Sequence, residues 1–400
     1  MATQLARVAI VSLALGGCEL IANIPGYSPL GDGGAGSDSA GDGGGGDDAM
    51  RECELSTECP APEVCVMGRC QLCDRDAHCG PANENVCLPD GTCAAVDRIA
   101  YAAPNGTGTA CSLAAPCDIQ QAFTNAAGSP AIDIVKLAPG TYPRGAQIAV
   151  GTDTVILAGE GATVTATAAV ALFRVTTGAM TIIGAELVGM QQFNALCFGM
   201  AGQLGTLKMH RVLTRGGAYG IGGFSCNIGV SRTTVLQNSG IGVYVNGGTA
   251  RLTNAVVMGN GLAGGAEGGV QLLQVTDARV EMSTIVGNTS MNDLYAGGLT
   301  CTGSTNVVTT SISWGNAGTA NGPLDQACSV SYSVVEPAYA GGANNVRMDP
   351  LFQAPGDFHL MAASPARGCG DPALTTGVDF DNEPRPQGDA AFDCGADEIP

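Results

Sequence analysis

The densest cluster of side chains that could carry out acid–base chemistry consists of Lys208, His210, Arg211 and Arg215. An imidazole at such a position could act as a general base. The same residue types are also typical of a solvated strand face and the turn that follows it. We therefore expect this cluster to be a solvated surface, with His210 as a general base as the alternative. No catalytic residue is predicted.

Carboxylates are the second group to consider, because a glycosidase needs two of them about 5–9.5 Å apart across a groove. The central region offers eight: Asp133, Asp153, Glu160, Glu186, Glu267, Asp277, Glu281 and Asp293. No two of them recur at one constant spacing with a flanking arginine. Asp379 and Asp381 form an Asp-x-Asp pair that could hold calcium, but we expect a structural role in their loop.

The sequence gives little support to other kinds of active site. The chain has three histidines, and no Ser/His/Asp set can be assembled from them. Gly-rich strings such as Gly264-Gly265 lack the strand–turn–helix context of a nucleotide site. The sequence therefore predicts no metal site and no cofactor.

The chain contains 17 cysteines, and eight of them fall in two similar Cys-x5-Cys units: Cys53, Cys59, Cys65, Cys70, Cys73, Cys79, Cys87 and Cys93. Units of about 20 residues cannot build a hydrophobic core, so disulfides must supply the stability, about 2–4 kcal/mol each. Zinc is the alternative, because Cys70-x-x-Cys73 has a suitable spacing and His78 is near. Except for Cys65-x4-Cys70, the remaining gaps are longer than zinc sites use, and disulfides are the prediction.

The residue pattern after Tyr101 is typical of a β-protein. Short runs rich in Val, Ile, Thr and Leu alternate with Gly and Asn, and none reaches ten residues with helical spacing. Four similar segments end in asparagine, at intervals of 22, 28 and 28 residues: Asn238, Asn260, Asn288 and Asn316. This interval is about one coil of a parallel β-helix. The predicted fold class is all-β, a parallel β-helix with a short N-terminal capping helix, preceded by the disulfide-rich module.

The four asparagines are predicted to be structural. Each would lie at the same corner of its coil, where Asn tolerates left-handed backbone geometry. Its side-chain amide could then bond to the coils above and below, as amide ladders do. The alternative is that these asparagines only mark surface turns.

A short helix is predicted over residues 118–126. Asp118 is the expected N-cap and Gln121 its capping-box partner. The apolar side of this helix would cover the open sheet edge of the first coil, and it consists of Ile119, Ala122, Phe123 and Ala126.

Further disulfides are expected between coils. Two cysteine pairs are 29 and 27 residues apart, about one coil each, and a third pair flanks the loop before the helix. Neighbouring strands lie about 4.8 Å apart, within the range that a disulfide tolerates. The predicted bridges are Cys197–Cys226, Cys301–Cys328 and Cys111–Cys117.

Two stretches resemble a known superfamily. Tyr101-Ala-Ala-Pro-Asn-Gly, Pro116-Cys117 and Leu137-Ala-Pro-Gly-Thr-Tyr142 are similar to the opening of right-handed parallel β-helix proteins of the pectate-lyase-like superfamily. The tail resembles that of bacterial surface proteins with a choice-of-anchor Q domain, on Asp349-Pro-Leu-Phe352, Gly356-Asp-Phe-His-Leu360, Ser364-Pro-Ala366, Asp381-Asn-Glu-Pro-Arg-Pro386 and Gly395-Ala-Asp-Glu398. The superfamily contains polysaccharide lyases and hydrolases, and a lyase uses Arg or Lys as base beside calcium-binding carboxylates.

The tail departs from the family pattern at three positions. Asp397 stands where the family usually has tyrosine, and Cys369 and Cys394 stand where it has apolar or small residues. We interpret these two cysteines as a further disulfide that closes the tail.

The N-terminus has the pattern of an export signal. The apolar run from Val8 to Leu15 follows Arg7 and is shorter than the roughly 20 residues needed to span a bilayer. Its end, Leu15-Gly16-Gly17-Cys18, resembles the lipobox of bacterial lipoproteins, which implies that Cys18 becomes the N-terminus and carries a lipid. An ordinary signal peptide with a chance cysteine is the alternative.

The expected domain order follows from these segments. The cysteine units also resemble the four-cysteine repeats of the Dickkopf-type module, and the Gly/Asp-rich segment before them is typical of a flexible tether. The predicted boundaries are 1–17 for the signal peptide, 18–50 for the tether, 51–96 for the disulfide-rich module, 99–345 for the β-helix and 346–400 for its tail.

The net charge and the predicted export signal limit the possible functions. The net charge is −19 and the only lysines are Lys136 and Lys208, so nucleic acid is excluded as a partner. We expect a protein anchored by lipid in the cell envelope, at the outer membrane or cell surface. Its β-helix would be a non-catalytic binding or structural module, with a polysaccharide or surface protein as partner. The alternatives are a polysaccharide lyase or glycoside hydrolase, and a passive spacer.

Overall fold

A computed structural model describes residues 53–80, 84–200, 202–262, 267–303, 306–375, 377–387 and 391–399. Cys18, the predicted signal peptide and the predicted tether lie outside these residues. The described ranges contain one α-helix, Ile119–Gly128, and three 3-10 helices, Ser56–Glu58, Asp76–Cys79 and Val96–Arg98. None of these helices is both long and apolar enough to cross a membrane.

The strands wind into a parallel β-helix of about eight turns with three lateral sheets. Sheet 1 contains Ile148–Val150, Phe173–Val175, Phe193–Phe198, the first half of Tyr219–Ser231, the first half of Val243–Thr253, Val270–Val275 and Leu299–Gly303. Sheet 2 contains Ile99–Ala102, Ile134–Leu137, Thr154–Ala158, Ala179–Ile183, Gly205–His210, the second halves of the two long strands, Asp277–Glu281, Asn306–Thr309 and Ser329–Ser331.

Sheet 3 contains Gly140–Arg144, Ala162–Ala166, Glu186–Val188, Leu213–Arg215, Thr234–Leu236, Val256–Met258, Thr284–Val286, Ile312–Trp314 and Val334–Val335. The remaining strands form small two-stranded pairs: Val64–Val66 with Arg69–Gln71, Thr289–Ser290 with Ala317–Gly318, and Gly377–Val378 with Pro384–Arg385. The predicted fold class, an all-β right-handed parallel β-helix with an N-terminal helix and a preceding disulfide-rich stretch, is confirmed.

The core is a set of apolar columns that run along the β-helix. Alternate residues of a strand point to opposite faces, so the inward position of one coil lies above the inward position of the next. One such column on sheet 2 consists of Leu157, Ile182, Met209, Val230, Leu252, Val280, Val308 and Val330. Each of these side chains is buried, and complete burial of such a side chain contributes about 1.5–3 kcal/mol.

An amide ladder runs down the corner between sheets 3 and 1. The Nδ2 of each asparagine donates to the Oδ1 of the next, at 2.9 Å from Asn238 to Asn260, 2.9 Å from Asn260 to Asn288 and 3.0 Å from Asn288 to Asn316. All four are buried. Asn194, which lies two coils before Asn238, also donates to this column, at 3.5 Å.

The left-handed residue at this corner is not the asparagine, as the sequence had suggested, but the residue before it. Gln237, Gly259, Gly287 and Gly315 have φ between 50° and 63°. Glycine takes this conformation without a Cβ penalty. The next residue is then free to turn its amide inward to the ladder.

The two ends of the β-helix are covered. Ile119–Gly128 covers the first coil with the four residues predicted for its apolar side, all of which are buried. Asp118 caps the helix by accepting from the backbone N–H of Gln120 and Gln121. The capping box is wrong, because the Gln121 side chain donates to Asn125 Oδ1 at 2.8 Å instead.

At the other end, the buried ring of Tyr339 closes the core. Its hydroxyl donates to the Cys328 carbonyl at 2.6 Å. Arg347 Nε donates to the Tyr339 carbonyl at 3.1 Å and holds the covering loop in place.

Eight disulfides connect the sixteen described cysteines: Cys53–Cys65, Cys59–Cys70, Cys73–Cys87, Cys79–Cys93, Cys111–Cys117, Cys197–Cys226, Cys301–Cys328 and Cys369–Cys394. The last four are the pairs named from the sequence. In the module, Cys70 and Cys73 bond to other cysteines rather than to each other, so neither provides a thiolate for zinc. His78 contacts Asp74, with 2.8 Å between Nδ1 and Oδ1.

The module and the tail pack on different sides of the β-helix. The module places Val86 and Ala94 against the outer side of sheet 2, at Ile134 and Ala158. The tail places Phe358 and Ala396 against the outer side of sheet 3, which contributes Leu236, Val256 and Met258. Within the described residues, the module therefore covers part of sheet 2 and the tail covers part of sheet 3. The candidate site lies on sheet 1.

Candidate functional site

The outer side of sheet 1 carries a group of five aromatic rings, which we call the aromatic face: Phe193, Phe198, Tyr219, Phe224 and Tyr244. Strand alternation explains the outward direction of Phe198, Phe224 and Tyr244. Phe193 and Tyr219 begin their strands and do not follow this alternation, but their rings contact the same group on the outer side. In Phe193–Phe198, Ala195 and Cys197 point inward and are fully buried, whereas the side chain of Phe198 points outward and is 44% exposed. The register pairs Phe193 with Tyr219 and Phe198 with Phe224 on the next coil.

The rings contact one another across three successive coils. Phe193 and Tyr219 stack with centroids 4.5 Å apart and planes at 21°. Phe224 lies 5.6 Å from Phe198 and 5.1 Å from Tyr244. Offset and tilted pairs at these distances are favourable arrangements of aromatic rings, so the face is held in one shape before any ligand arrives.

A glycine creates the space for this arrangement. Gly222 lies between Leu196 and Tyr244 in the register of sheet 1. A Cβ on Gly222 would lie 2.4 Å from Cε1 of the Phe193 ring. The absence of a side chain therefore allows the Phe193 ring to lie against the sheet.

Polar groups border the aromatic face. Asn246 Nδ2 donates to the Tyr244 hydroxyl at 3.2 Å. Burial, and to a smaller extent the Glu267 carboxylate, raise the pKa of the Tyr219 and Tyr295 hydroxyls, so both remain protonated donors. The guanidinium carbon of Arg174 lies 5.7 Å from the centroid of Phe198.

The aromatic rings and the polar groups beside them could contact a ligand in two ways. Aromatic faces provide apolar contact area, whereas tyrosine hydroxyls, an amide and a carboxylate provide hydrogen bonds at fixed positions. Exposed apolar side chains also lie in loops that adjoin the face, with Met200 and Leu204 after Phe198 and Leu294 before Tyr295. The surface suits a ligand with both apolar C–H faces and hydroxyl groups.

The basic cluster singled out in the sequence lies elsewhere. Lys208 and His210 belong to sheet 2, where Lys208 is exposed and His210 Nδ1 lies 2.8 Å from Ser231 Oγ. Burial first, and then Arg211 and Arg232, lower the pKa of His210 to about 3. A general base works best with a pKa near the operating pH, so His210 is unsuited to that role.

The carboxylates of the coils are mostly paired with arginines from other segments. Most partners come from neighbouring coils or from the segment before the first strand of the β-helix, so the sequence does not show these pairs. Arg279 is an exception, because it lies between Asp277 and Glu281 in one strand, 3.6 and 3.8 Å from them. Glu186 accepts from Arg215 Nε at 2.7 Å, and Asp277 from Arg251 at 2.9 Å. Asp133 pairs with Arg98 and Glu160 lies 3.9 Å from Arg211. Glu267, by contrast, borders the aromatic face.

The tail gathers a second polar group. Asp379 is fully buried, and its carboxylate accepts from the backbone N–H groups of Asp381, Glu383 and Glu398. Burial raises the pKa of this carboxyl. These hydrogen bonds give Asp379 a structural role in its loop.

Asp381 lies at the surface beside His359 and Asp397. One ligand atom from each of the three residues lies within 4.8 Å of the others, a geometry that could hold a metal ion. Sequence reasoning considered Asp381 for calcium but missed His359 and Asp397. They are 22 and 16 residues away from it in a segment without a repeat that would signal their contact.

Comparisons with known proteins give little beyond the fold. No family model matches the chain, and no curated protein matches it. A solved structure, described as the crystal structure of pectate lyase Pel9A, is similar with 16% sequence identity and a TM-score of 0.41, over 76% of this chain and 96% of that chain. The choice-of-anchor Q and lipoprotein resemblances therefore stay predictions.

Proposed function

We propose that this chain is a lipid-anchored protein of the bacterial cell surface that binds polysaccharide on the aromatic face, without cleaving it. The aromatic face is the observation that carries the proposal. Five rings, two of them tyrosines, lie on one lateral sheet beside Glu267 and Asn246. The β-helix would act as the rigid support of this surface.

The shape of the face favours a chain-like ligand. Its rings come from three successive strands, which are spaced about 4.8 Å apart, so the face extends about 10 Å along the β-helix axis. Residues on strands are held more rigidly than residues on loops. A short stretch of polysaccharide could lie across these rings with its C–H faces against them and its hydroxyl groups near the polar border.

The number and position of the carboxylates near the aromatic face favour binding without cleavage. A glycosidase needs two carboxylates on opposite sides of the scissile bond. Among the described residues, Glu267 is the carboxylate that acts on Tyr219 of this face and on Tyr295 beside it. The arginine-paired carboxylates Glu186 and Asp277 lie on sheets 3 and 2. The site has the composition of a binding surface.

The membrane attachment rests on the sequence alone. Leu15-Gly16-Gly17-Cys18 after a short apolar run supports lipidation of Cys18, and the Gly/Asp-rich segment after it supports a spacer between membrane and module. Radiolabelled lipid that follows the wild-type protein and not Cys18→Ser would support the anchor. Lipid that still follows Cys18→Ser would contradict it.

The glycan proposal is tested with the full chain carrying Cys18→Ser, which keeps it out of the membrane. We expect binding on a panel of neutral and uronate polysaccharides, and a loss of at least tenfold in affinity for the double variant Phe198→Ala/Tyr244→Ala. Met361→Ala is the matched control, because Met361 is 45% exposed and Phe198 44%, and Met361 lies in the tail. Equal binding by the double variant would contradict the proposal. New reducing ends or unsaturated products, with or without calcium, would show a lyase or hydrolase instead.

A further inference from the structure

We propose that His359, Asp381 and Asp397 form a binding site for a divalent transition metal of the zinc class, which fastens the tail onto sheet 3. The three residues come from three segments of the tail, and one ligand atom of each lies within 4.8 Å of the others. The site lies over sheet 3, apart from the aromatic face, and the proposal is independent of glycan binding.

Backbone hydrogen bonds position two of the three ligands. The Leu360 N–H donates to Asp397 Oδ2 at 2.7 Å and ties the segment of His359 to that of Asp397. The Asp379 carboxylate accepts from the N–H of Asp381 at 2.9 Å and from that of Glu398 at 3.2 Å. Asp379 therefore holds the segments of Asp381 and Asp397 together from below.

The imidazole of His359 is oriented as in many metal sites. Its Nδ1 lies 2.5 Å from Asp357 Oδ1, and its Nε2 lies 3.1 Å from Asp381 Oδ2. The ring also stacks on Phe358, with centroids 4.3 Å apart. A carboxylate on one imidazole nitrogen fixes the tautomer that leaves the other nitrogen free to bind metal. A metal at Nε2 would replace the proton now shared with Asp381.

Asp397 gives a second and independent indication. The residue is only 6% exposed. Its Oδ2 accepts from the Leu360 N–H, and its charge interacts with those of His359 and Arg385. A buried carboxylate is costly unless it is paired with a cation. A dication bound between Asp397, Asp381 and His359 would replace the His359 proton and place a larger positive charge beside this buried carboxylate.

The donor set selects the class of metal. One imidazole nitrogen and two carboxylate oxygens, with a fourth position open to water, suit zinc. Calcium takes six to eight oxygen ligands, and an imidazole is a poor substitute for them. The cysteines do not compete, because all sixteen that the structure describes are in disulfides.

The proposal is tested by calorimetric titration of Zn²⁺ into the metal-free full chain with Cys18→Ser, without reductant. We expect one equivalent to bind. Asp381→Asn should weaken binding at least tenfold, and Asp357→Asn should weaken it about 10–100-fold, as loss of an outer-shell carboxylate does. Asp349→Asn is the control, since Asp349 is an exposed tail aspartate whose bond to the Leu351 N–H an asparagine oxygen can keep.

The emission of the single tryptophan, Trp314, reports whether the tail is docked, because its side chain packs against the tail. If Asp381→Asn changes this emission, His359→Gln takes its place in the titration. The absence of zinc binding to the wild-type chain, or equal affinity for the variant with a docked tail, would overturn the proposal. Tighter binding of Ca²⁺ than of Zn²⁺ would overturn the assigned metal class.

Discussion

Lys136 and Asp76 form a salt bridge in which both side chains are 2% exposed, although 60 residues separate them in the sequence. Lys136 projects from the outer side of sheet 2, and Asp76 comes from a 3-10 helix of the module. Asp76 also accepts from the Cys87 N–H at 2.8 Å, and its own N–H donates to Glu160 at 2.9 Å. The module is therefore joined to the β-helix by a desolvated charge pair as well as by apolar contacts.

Lys136→Ala should destabilise the protein by about 3–5 kcal/mol, because it leaves the Asp76 charge buried without its partner. Urea denaturation at neutral pH measures the change. The chain offers a matched control in its second lysine, the exposed Lys208, and Lys208→Ala should change stability by less than about 0.5 kcal/mol. Equal effects of the two substitutions would contradict the prediction.

The amide ladder is expected to be sensitive to a single truncation. Asn288→Ala removes an acceptor for two donors of Asn260, its N–H and Nδ2, and removes the donor to Asn316 Oδ1. Since a buried group left unpaired costs about 1–3 kcal/mol, we expect a loss of at least about 2 kcal/mol in urea denaturation. Asn321→Ala, at an exposed position, is the control. A loss no larger than that of the control would show that the ladder does not stabilise the coils.

The ladder was predictable from the sequence because its residues repeat. Each asparagine follows an apolar strand at an interval near one coil, and the same interval indicated the disulfides Cys197–Cys226 and Cys301–Cys328. The left-handed position was misassigned because Asn and Gly both tolerate it. The sequence does not show which of two adjacent residues must turn its side chain inward.

The aromatic face could not be predicted in the same way. Phe193 pairs with Tyr219 at a separation of 26 residues, whereas Gly222 pairs with Tyr244 at 22. Loops of different length at the corners remove the common interval, so these rings do not form a visible repeat. The group around His359 depends on tail segments that meet without any repeat at all.

Gly222→Ala tests the shape of the aromatic face. The new Cβ would lie 2.4 Å from the Phe193 ring, so the ring must move, at a cost of about 1–3 kcal/mol for overpacking. We expect an altered near-UV circular dichroism spectrum and a loss of glycan affinity similar to that of Phe198→Ala/Tyr244→Ala.

Gly151→Ala is the control for this substitution, because nothing lies within 4 Å of a Cβ at that position. Its spectrum and its affinity should match those of the wild type. A wild-type spectrum for Gly222→Ala would mean that Phe193 does not occupy the position described.

Glu336 ends the amide ladder and should make stability depend on pH. Its Oε1 accepts from the Asn316 N–H at 3.0 Å, whereas its Oε2 is buried without a hydrogen-bond partner among the described residues. Burial raises the pKa of this carboxyl to about 7 from its ordinary 4.5. The folded state therefore binds the proton more tightly than the unfolded state. The stability that this carboxyl contributes is fully present below pH 4.5 and is lost as the pH rises through 7.

Glu336→Gln should remove that dependence, because a glutamine keeps an acceptor for Asn316 and cannot ionise. We expect the variant to be more stable than the wild type by less than about 1 kcal/mol at pH 5 and by up to about 3 kcal/mol at pH 8. Urea denaturation at pH 5, 6, 7 and 8 measures this difference, with Glu54→Gln at an exposed position as the control. A wild-type pH dependence in Glu336→Gln would show that the charge of Glu336 is compensated in the folded protein, and that the ladder ends in an ionised carboxylate.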